Sequence, residues 1–294
     1  MFKNILIPVD LTISSEVAIG RAMELADKHF AILHLLHVAT PPTLFHSAFA
    51  FTILNPTIAP KTEIEIFLKL NKLKDQILCS HPSLIVQVYN LPGSSVNKVI
   101  LDVANIINPE LIIIASMGKR HWFNFSSTTF PNRIAKKTGC PVLTIKTGAA
   151  PKPVKNIVLP LGAFVPLRKI EWVSMLAKMY RARIHIVTMS TAGETMPGNL
   201  NKIFIETYRR LKDGLSTPIE YEVLTGTSFA RSVLSYAQKI KADMVLVNPE
   251  TESRISSMPG MHINDMLAAN SPLQILSLEP YTMERAVPLV LPKN

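Results

Sequence analysis

Cysteine occurs only twice in 294 residues, as Cys79 and Cys140. Two isolated thiols exclude a disulfide framework or a cysteine zinc site, and both are read as ordinary reduced cysteines. No apolar run approaches the roughly 20 residues that a membrane span requires. Met1-Phe2-Lys3-Asn4 leads straight into a strand pattern with no signal-peptide architecture. The expected location is therefore the cytoplasm. Also missing are a Gly-x-Ser-x-Gly elbow, a P-loop with Gly-Lys-Ser/Thr, and any clustered His/Cys/Asp metal pattern. Lysine and arginine outnumber the acids by 31 to 21. They are scattered rather than grouped with aromatics, so the charge speaks to solubility and steering and gives little reason to expect nucleic-acid binding.

What is present is a repeat. Ile5-Leu6-Ile7-Pro8-Val9-Asp10 recurs as Ile157-Val158-Leu159-Pro160-Leu161-Gly162, and the one drastic change is Asp10 to Gly162. Ile32–Val38 faces Arg183–Met189, and Gly93–Ala115 aligns without a gap on Gly226–Asn248. Order, spacing and residue class kept together point to duplication. The length suits two domains, with Thr147–Val154, small residues and two prolines, as a short stiff linker. We expect domain 1 over 1–147, domain 2 over 154–280 and a carboxyl tail over 281–294.

Short Val/Ile/Leu runs alternate with helical patterns. Strands are expected near 4–9, 32–38, 84–89, 111–115 and 142–146, then near 156–161, 183–189, 219–224, 244–248 and 273–278. In the first half their lack of clean polar alternation suits parallel strands covered on both faces, and the second half repeats the strand and helix pattern. Ala18, Ala22, Leu25 and Ala26 mark one helical face, and Val96, Val99, Ile100 and Val103 another; the second half repeats this with Ile170, Val173 and Ala177, then Phe229, Val233, Ala237 and Ile240. The fold class is α/β, with two tandem doubly wound domains, each on a five-stranded parallel sheet. Ser94-Ser95 and Thr227-Ser228 read as structural N-caps of the third helix in each half. The segment 39–62, with four prolines around Leu44, Phe45, Phe49, Phe51, Ile53 and Leu54, reads as a long greasy connection that either packs on the partner domain or forms a lid or docking surface.

Ligands of open parallel sheets bind beyond the carboxyl ends of the strands, where strand order switches direction. Asp10 ends the first strand, and Ala115-Ser116-Met117-Gly118 follows the fourth. A carboxylate there can accept from a ribose hydroxyl or an exocyclic amine, and Gly118 lets backbone N–H groups approach an anion. Further on, Thr128 or Thr129 followed by Pro131 reads as a helix start, a natural phosphate seat. His34 and His185, at matched places in apolar strands, read as satisfied core histidines, while His37 at a strand end is the more open one.

In these residues the chain resembles the universal stress proteins in their tandem two-domain form. The likeness rests on Ile7-Pro8-Val9-Asp10 closing the first strand, Leu36-His37-Val38 in the second, the loop at Gly118, and Gly139-Cys140-Pro141-Val142-Leu143 entering the fifth. It covers the whole chain, by motif in the first half and by topology and repeat in the second. The resemblance implies an adenine nucleotide alpha hydrolase-like fold. Nucleotide-binding members carry Gly-x2-Gly-x9-Gly-Ser/Thr, and this chain has Ala115, Gly118, Thr128 and Thr129 at those places. It keeps one of three glycines and the final hydroxyl, and Trp122 and Phe123 add bulk to the loop. By resemblance, Pro8, Val9, Asp10 and Val38 would hold adenine and ribose, and Ala115, Met117, Gly118, Thr128 and Thr129 the phosphates.

The expected ligand is ATP or another adenine nucleotide, with or without magnesium, in the first domain only; Gly162 and Asn248-Pro249-Glu250-Thr251 leave the second with neither carboxylate nor backbone nest. No catalytic residue is named, and slow ATP hydrolysis is the most that the resemblance allows. Two functions stand side by side: a stress-response binding protein that reports nucleotide state to a protein partner, and a nucleotide-free interaction module acting through the 39–62 loop and a pseudo-dimer surface. Family dimers often pair through the last strand, so 142–146 and 273–278 are expected to pair within the chain, with association of whole chains left open.

Overall fold

The structure, a computed structural model, describes residues 2–26, 31–39, 58–116, 130–146, 152–190, 198–255, 261–282 and 284. Contacts group the chain into two compact units, Met1–Asn124 and Phe125–Asn294.

The first unit alternates β1 (Asn4–Pro8), α1 (Ile13–Leu25), β2 (Ile32–Ala39), α2 (Ile58–Ser80), β3 (Ile85–Pro92), α3 (Val96–Ile107) and β4 (Leu111–Ser116). Its strands lie in the order β3-β2-β1-β4, and every pair is parallel. Ile5, Leu6 and Ile7 of β1 and Leu111 through Ile114 of β4 are all buried, as strands covered on both faces must be. The expected face of α1 is buried at Ala18, Ala22 and Leu25, and α3 buries Ile100 and Val103. Helix α2 begins at Ile58, so the last residues of the expected 39–62 connection are helical; Pro60 falls in the first turn, where no intrahelical N–H bond is lost. The stretch 40–57, with its aromatic residues, lies outside the described residues.

The second unit contains α4 (Phe130–Thr138), β5 (Val142–Lys146), β6 (Asn156–Pro160), α5 (Leu167–Tyr180), β7 (Arg183–Ser190), α6 (Gly198–Gly214), β8 (Ile219–Thr225), α7 (Phe229–Lys239), β9 (Met244–Val247), α8 (Ile263–Met266) and β10 (Gln274–Ser277). Its strands follow the order β5-β10-β9-β6-β7-β8. The pairs among β6 to β10 are parallel, whereas β5 runs antiparallel to β10, with Val142 opposite Ser277 and Thr144 opposite Ile275. The last strands of the two repeats thus pair within one chain, as expected. Sequence repeat and compact unit are different divisions: α4 and β5 complete the first repeat by order along the chain, yet their contacts group them with the second unit.

The duplication is visible in matched hydrogen bonds. Glu110 before β4 accepts from the backbone N–H of Lys3 at the start of β1, and Asp243 before β9 accepts from those of Lys155 and Asn156 at the start of β6. His34 bonds Asn4 Oδ1 and His185 bonds Asn156 Oδ1, each at 3.3 Å; the second ring nitrogen meets a tyrosine hydroxyl from a different element in each repeat, Tyr89 of β3 at 3.1 Å and Tyr236 of α7 at 3.2 Å. Both are satisfied core histidines. One matched feature fails. Ser95 caps α3 by accepting from the N–H of Lys98, but Ser228, at the N-cap position of α7, makes no side-chain cap bond, so the expectation of two working caps is corrected to one.

Candidate functional site

Strand β1 ends in Pro8, whose missing N–H suits the last ladder position, and Val9 N–H donates to Leu36 O at 2.8 Å. The chain then turns sharply: Leu11 takes a left-handed backbone (φ 60°), a conformation that L residues other than glycine adopt only under constraint. The constraint is Asp10. Its Oδ1 accepts from Thr12 N–H (3.0 Å), Thr12 Oγ1 (2.6 Å) and Ser15 Oγ (2.6 Å), while its own N–H donates to Ser15 Oγ (2.9 Å). One carboxylate oxygen is therefore fixed against the start of α1. The other, Oδ2, accepts from no described residue, and Asp10 is only half-buried. The arrangement presents one oriented acceptor at the end of a central strand.

His37 lies beneath this turn. It is buried at 2 % exposure, against the expectation of an open position, because the β1 extension at Val9 covers it. Its Nδ1–H donates to Val9 O at 3.0 Å. Burial lowers its pKa, with the Val9 carbonyl and the Asp10 charge opposing, so the ring serves as a neutral brace for the turn.

The register explains which residues meet. Ile5 pairs with Leu111 and Leu6 with Ile112, while Pro8 pairs with Leu36. Continuing those offsets sets Asp10 level with Val38 on one side and Ser116 on the other. Pro8, Val9, Asp10, Val38 and Ala115 thus gather at the carboxyl ends of three adjacent strands, with Val9 and Val38 buried and Ala115 half-buried. Met117, Gly118, Thr128 and Thr129 lie outside the described residues, as do His121, Trp122 and Phe123. The expected helix start is observed: α4 opens at Phe130 with Pro131 in its first turn.

The matched place in the second repeat is occupied from within. Lys169 of α5 donates to both carboxylate oxygens of Glu252 at 2.7 Å and to Pro160 O at the end of β6. Glu252 also accepts from Asn248 N–H at 2.8 Å and Asn248 Nδ2 at 3.2 Å. A methyl group built on Gly162 would lie 3.3 Å from Glu252 Oε1. An aspartate at 162 would therefore set a second carboxylate against a buried one. The expectation that this half lacks a carboxylate is corrected: the acid arrives from the β9 loop instead of the β6 end, and a lysine neutralises it. Burial pushes the ammonium pKa down and the carboxyl pKa up; mutual attraction and this many hydrogen bonds oppose both shifts and keep the pair ionic. Sequence reading missed Lys169 and Glu252. Lys169 does share a helical face with Ile170, Val173 and Ala177, but a lysine there ordinarily extends its head into water, and its partner lies 83 positions away.

A second buried network has the outline of a nucleophile and base. Ser253 Oγ lies 2.6 Å from His262 Nδ1, but it is also 2.5 Å from Pro249 O and 3.0 Å from Asn132 Nδ2, and it is fully buried. Ser277 Oγ donates to Asn132 Oδ1 at 2.8 Å, and Asp265 accepts from the backbone N–H of His262 rather than from its ring. Ser253 is fully buried and, among the described residues, no acid orients the imidazole, so the cluster ties α4, α8, β10 and the β9 loop together without the geometry of a hydrolytic triad. An open groove of about 440 Å³ lies between β8 and α7, lined by Thr225, Arg231 and Ser232 among others. Among the described residues, no group of His, Cys, Asp and Glu could hold a metal ion, and no helix is long and apolar enough to cross a membrane.

Comparison with known proteins agrees with this geometry. Residues 1–146 match the Universal stress protein family. Among solved structures, a universal stress protein from Archaeoglobus fulgidus is similar at 13 % identity and TM-score 0.57, with 96 % of this chain and 98 % of that one covered. A functionally unknown protein from Pseudomonas aeruginosa is similar at 16 % identity and TM-score 0.55, covering 95 % and 93 %. The cytoplasmic domain of a prokaryotic cation chloride cotransporter reaches 0.52 at 9 % identity, covering 95 % and 96 %. At such identities the likeness is one of fold, and the fold alone spans unlike functions. No curated protein matches the chain at a significant level. The direct match of the first half and the matched strands and strand-start hydrogen bonds of the second lead to one assignment: this chain belongs to the universal stress protein family, in its tandem α/β form.

Proposed function

We propose that this protein is a stress-response binding protein that holds an adenine nucleotide in its first repeat and not in its second. The observation that carries the reading is the contrast between Asp10 and Gly162. Asp10 has one oxygen fixed by Thr12 and Ser15 and the other unengaged by any described residue, whereas the Gly162 position faces a carboxylate already paired with Lys169. Pro8, Val9 and Val38 supply the apolar surround for a base and Ala115 the exit toward the loop; Met117, Gly118, Thr128 and Thr129 join the proposed site through the family motif. The ligand-bound form is the state that a protein partner would read.

Calorimetry with ATP, ADP and AMP, each with and without magnesium, tests the reading directly. One site per chain is expected, and the absence of heat with all three would refute it. Asp10→Ala should abolish nucleotide-induced thermal stabilisation, which for a ligand at a hundred times its Kd is about 2.7 kcal/mol. Glu252→Ala should leave that stabilisation in place, because the second repeat takes no part.

A further inference from the structure

Helix α2 carries two faces. Leu70 and Ile77, one heptad apart, are buried. On another face Ile64, Phe67 and Leu68 are 58 %, 57 % and 62 % exposed, at the spacing that makes one continuous stripe, which Asn71 and Asp75 extend. Three large apolar side chains held together in water mark an interaction surface. The flanks of the stripe are charged in a regular way. At 100° per residue, Glu63 and Lys74 border one side and Glu65 and Lys72 the other. None of the four has an ion pair with any described residue. Both acids lie toward the start of the helix and both bases toward its end.

That pattern is self-complementary under a two-fold axis. We propose that two copies of this chain associate through α2, packed antiparallel about Leu68. Leu68 then meets Leu68 of the second copy, Ile64 and Phe67 cover the neighbourhood of Asn71, and Glu63 and Glu65 of each copy face Lys74 and Lys72 of the other. An isologous contact of this kind uses the same patch twice, and antiparallel helices bring like flanks together, so all four pairs form at once. A strand-edge route is closed at β5, because that strand already pairs with β10 inside the chain. The stripe is short, so the association sits at the weak end of specific interfaces.

Sedimentation velocity of the full chain from about 1 to about 100 μM should show a concentration-dependent dimer. The variants E63K/E65K and K72E/K74E each place like charges across the axis and should each weaken association by about tenfold or more. Mixed in equal amounts, the two restore opposite charges at every pair and should form a heterodimer with the parent affinity. Leu68→Asp sets two like charges on the axis and should give the same loss, and a thermal melt confirms that each variant is folded. The proposal is overturned by a parent chain that stays monomeric over the whole range, by a dimer indifferent to Leu68→Asp or to either charge variant, or by a mixture that fails to reassociate.

Discussion

Lys169 and Glu252 each leave about 1 % of their side chains exposed, so each is the other's solvent. Removing one leaves the other charged in the core, a change that costs about 3–5 kcal/mol. Lys169→Met should therefore destabilise the chain by that order in urea unfolding, while Lys169→Met combined with Glu252→Gln should recover most of the loss; a double variant no better than the single would show that the pair's charge is not what matters. The pair also explains why Asp10 has no counterpart. Asp10 was legible as the odd residue of the repeat because it stands beside an otherwise matched hexapeptide. Lys169 was not, since a lysine within a helix ordinarily extends its head into water. Its burial depends on a glutamate 83 positions away, and no local pattern announces that.

The turns that join the edge strands to their helices set a stricter limit on sequence. A methyl group on Gly93 would come within 2.4 Å of Val99 Cγ2, and one on Gly226 within 2.4 Å of Ser232 Oγ, where the backbone also sits at φ 150°. Glycine is needed in both repeats because α3 and α7 close directly onto the turn. Gly93→Ala should lower stability by about 1–3 kcal/mol, the usual cost of overpacking, as read by thermal or urea melts. Gly226→Ala adds backbone strain to a similar clash and should cost at least as much. The ten strands were readable from their apolar runs to within a few residues; strands such as β1, β4, β6 and β9, buried on both faces, leave an unbroken signature, while the edge strands β3 and β8 are more exposed and more mixed in sequence. The partnership of β5 with β10 came from family likeness, because an apolar run states that a strand is covered and says nothing of which strand lies beside it.

Across the whole molecule, acid should act first through imidazoles. Burial lowers the pKa of His34, His37, His185 and His262 below the usual 6.5. A depressed base binds its proton in the unfolded chain before the folded one, so stability is full above about 6.5 and is lost as the pH falls below it. Asp265 runs the other way. Burial raises its pKa to about 6, against the backbone bond from His262 and the charge of Lys146. Its share of stability is present at low pH and is lost as pH rises from about 3.8 to about 6. With four lowered histidines against two raised acids, Asp265 and Glu252, the thermal midpoint should drop between about pH 7 and about pH 5. Carbon-detected NMR should show the Asp265 carboxyl titrating near 6. A midpoint flat over that range, or an Asp265 titration near 4, would contradict these assignments.

Duplication, the α/β class, the strand positions and the odd aspartate were determined by the sequence itself, because each is written in neighbouring residues: apolar runs, turn formers and a repeated hexapeptide. The tertiary structure alone decided that Asp10 keeps one oxygen fixed, that Lys169 and Glu252 occupy the corresponding place in the second repeat, that β5 groups with the second unit, and that α2 leaves Ile64, Phe67 and Leu68 in water. Those outcomes rest on contacts between residues far apart along the chain, and on which side chains remain once the core is filled, quantities that no local spacing encodes.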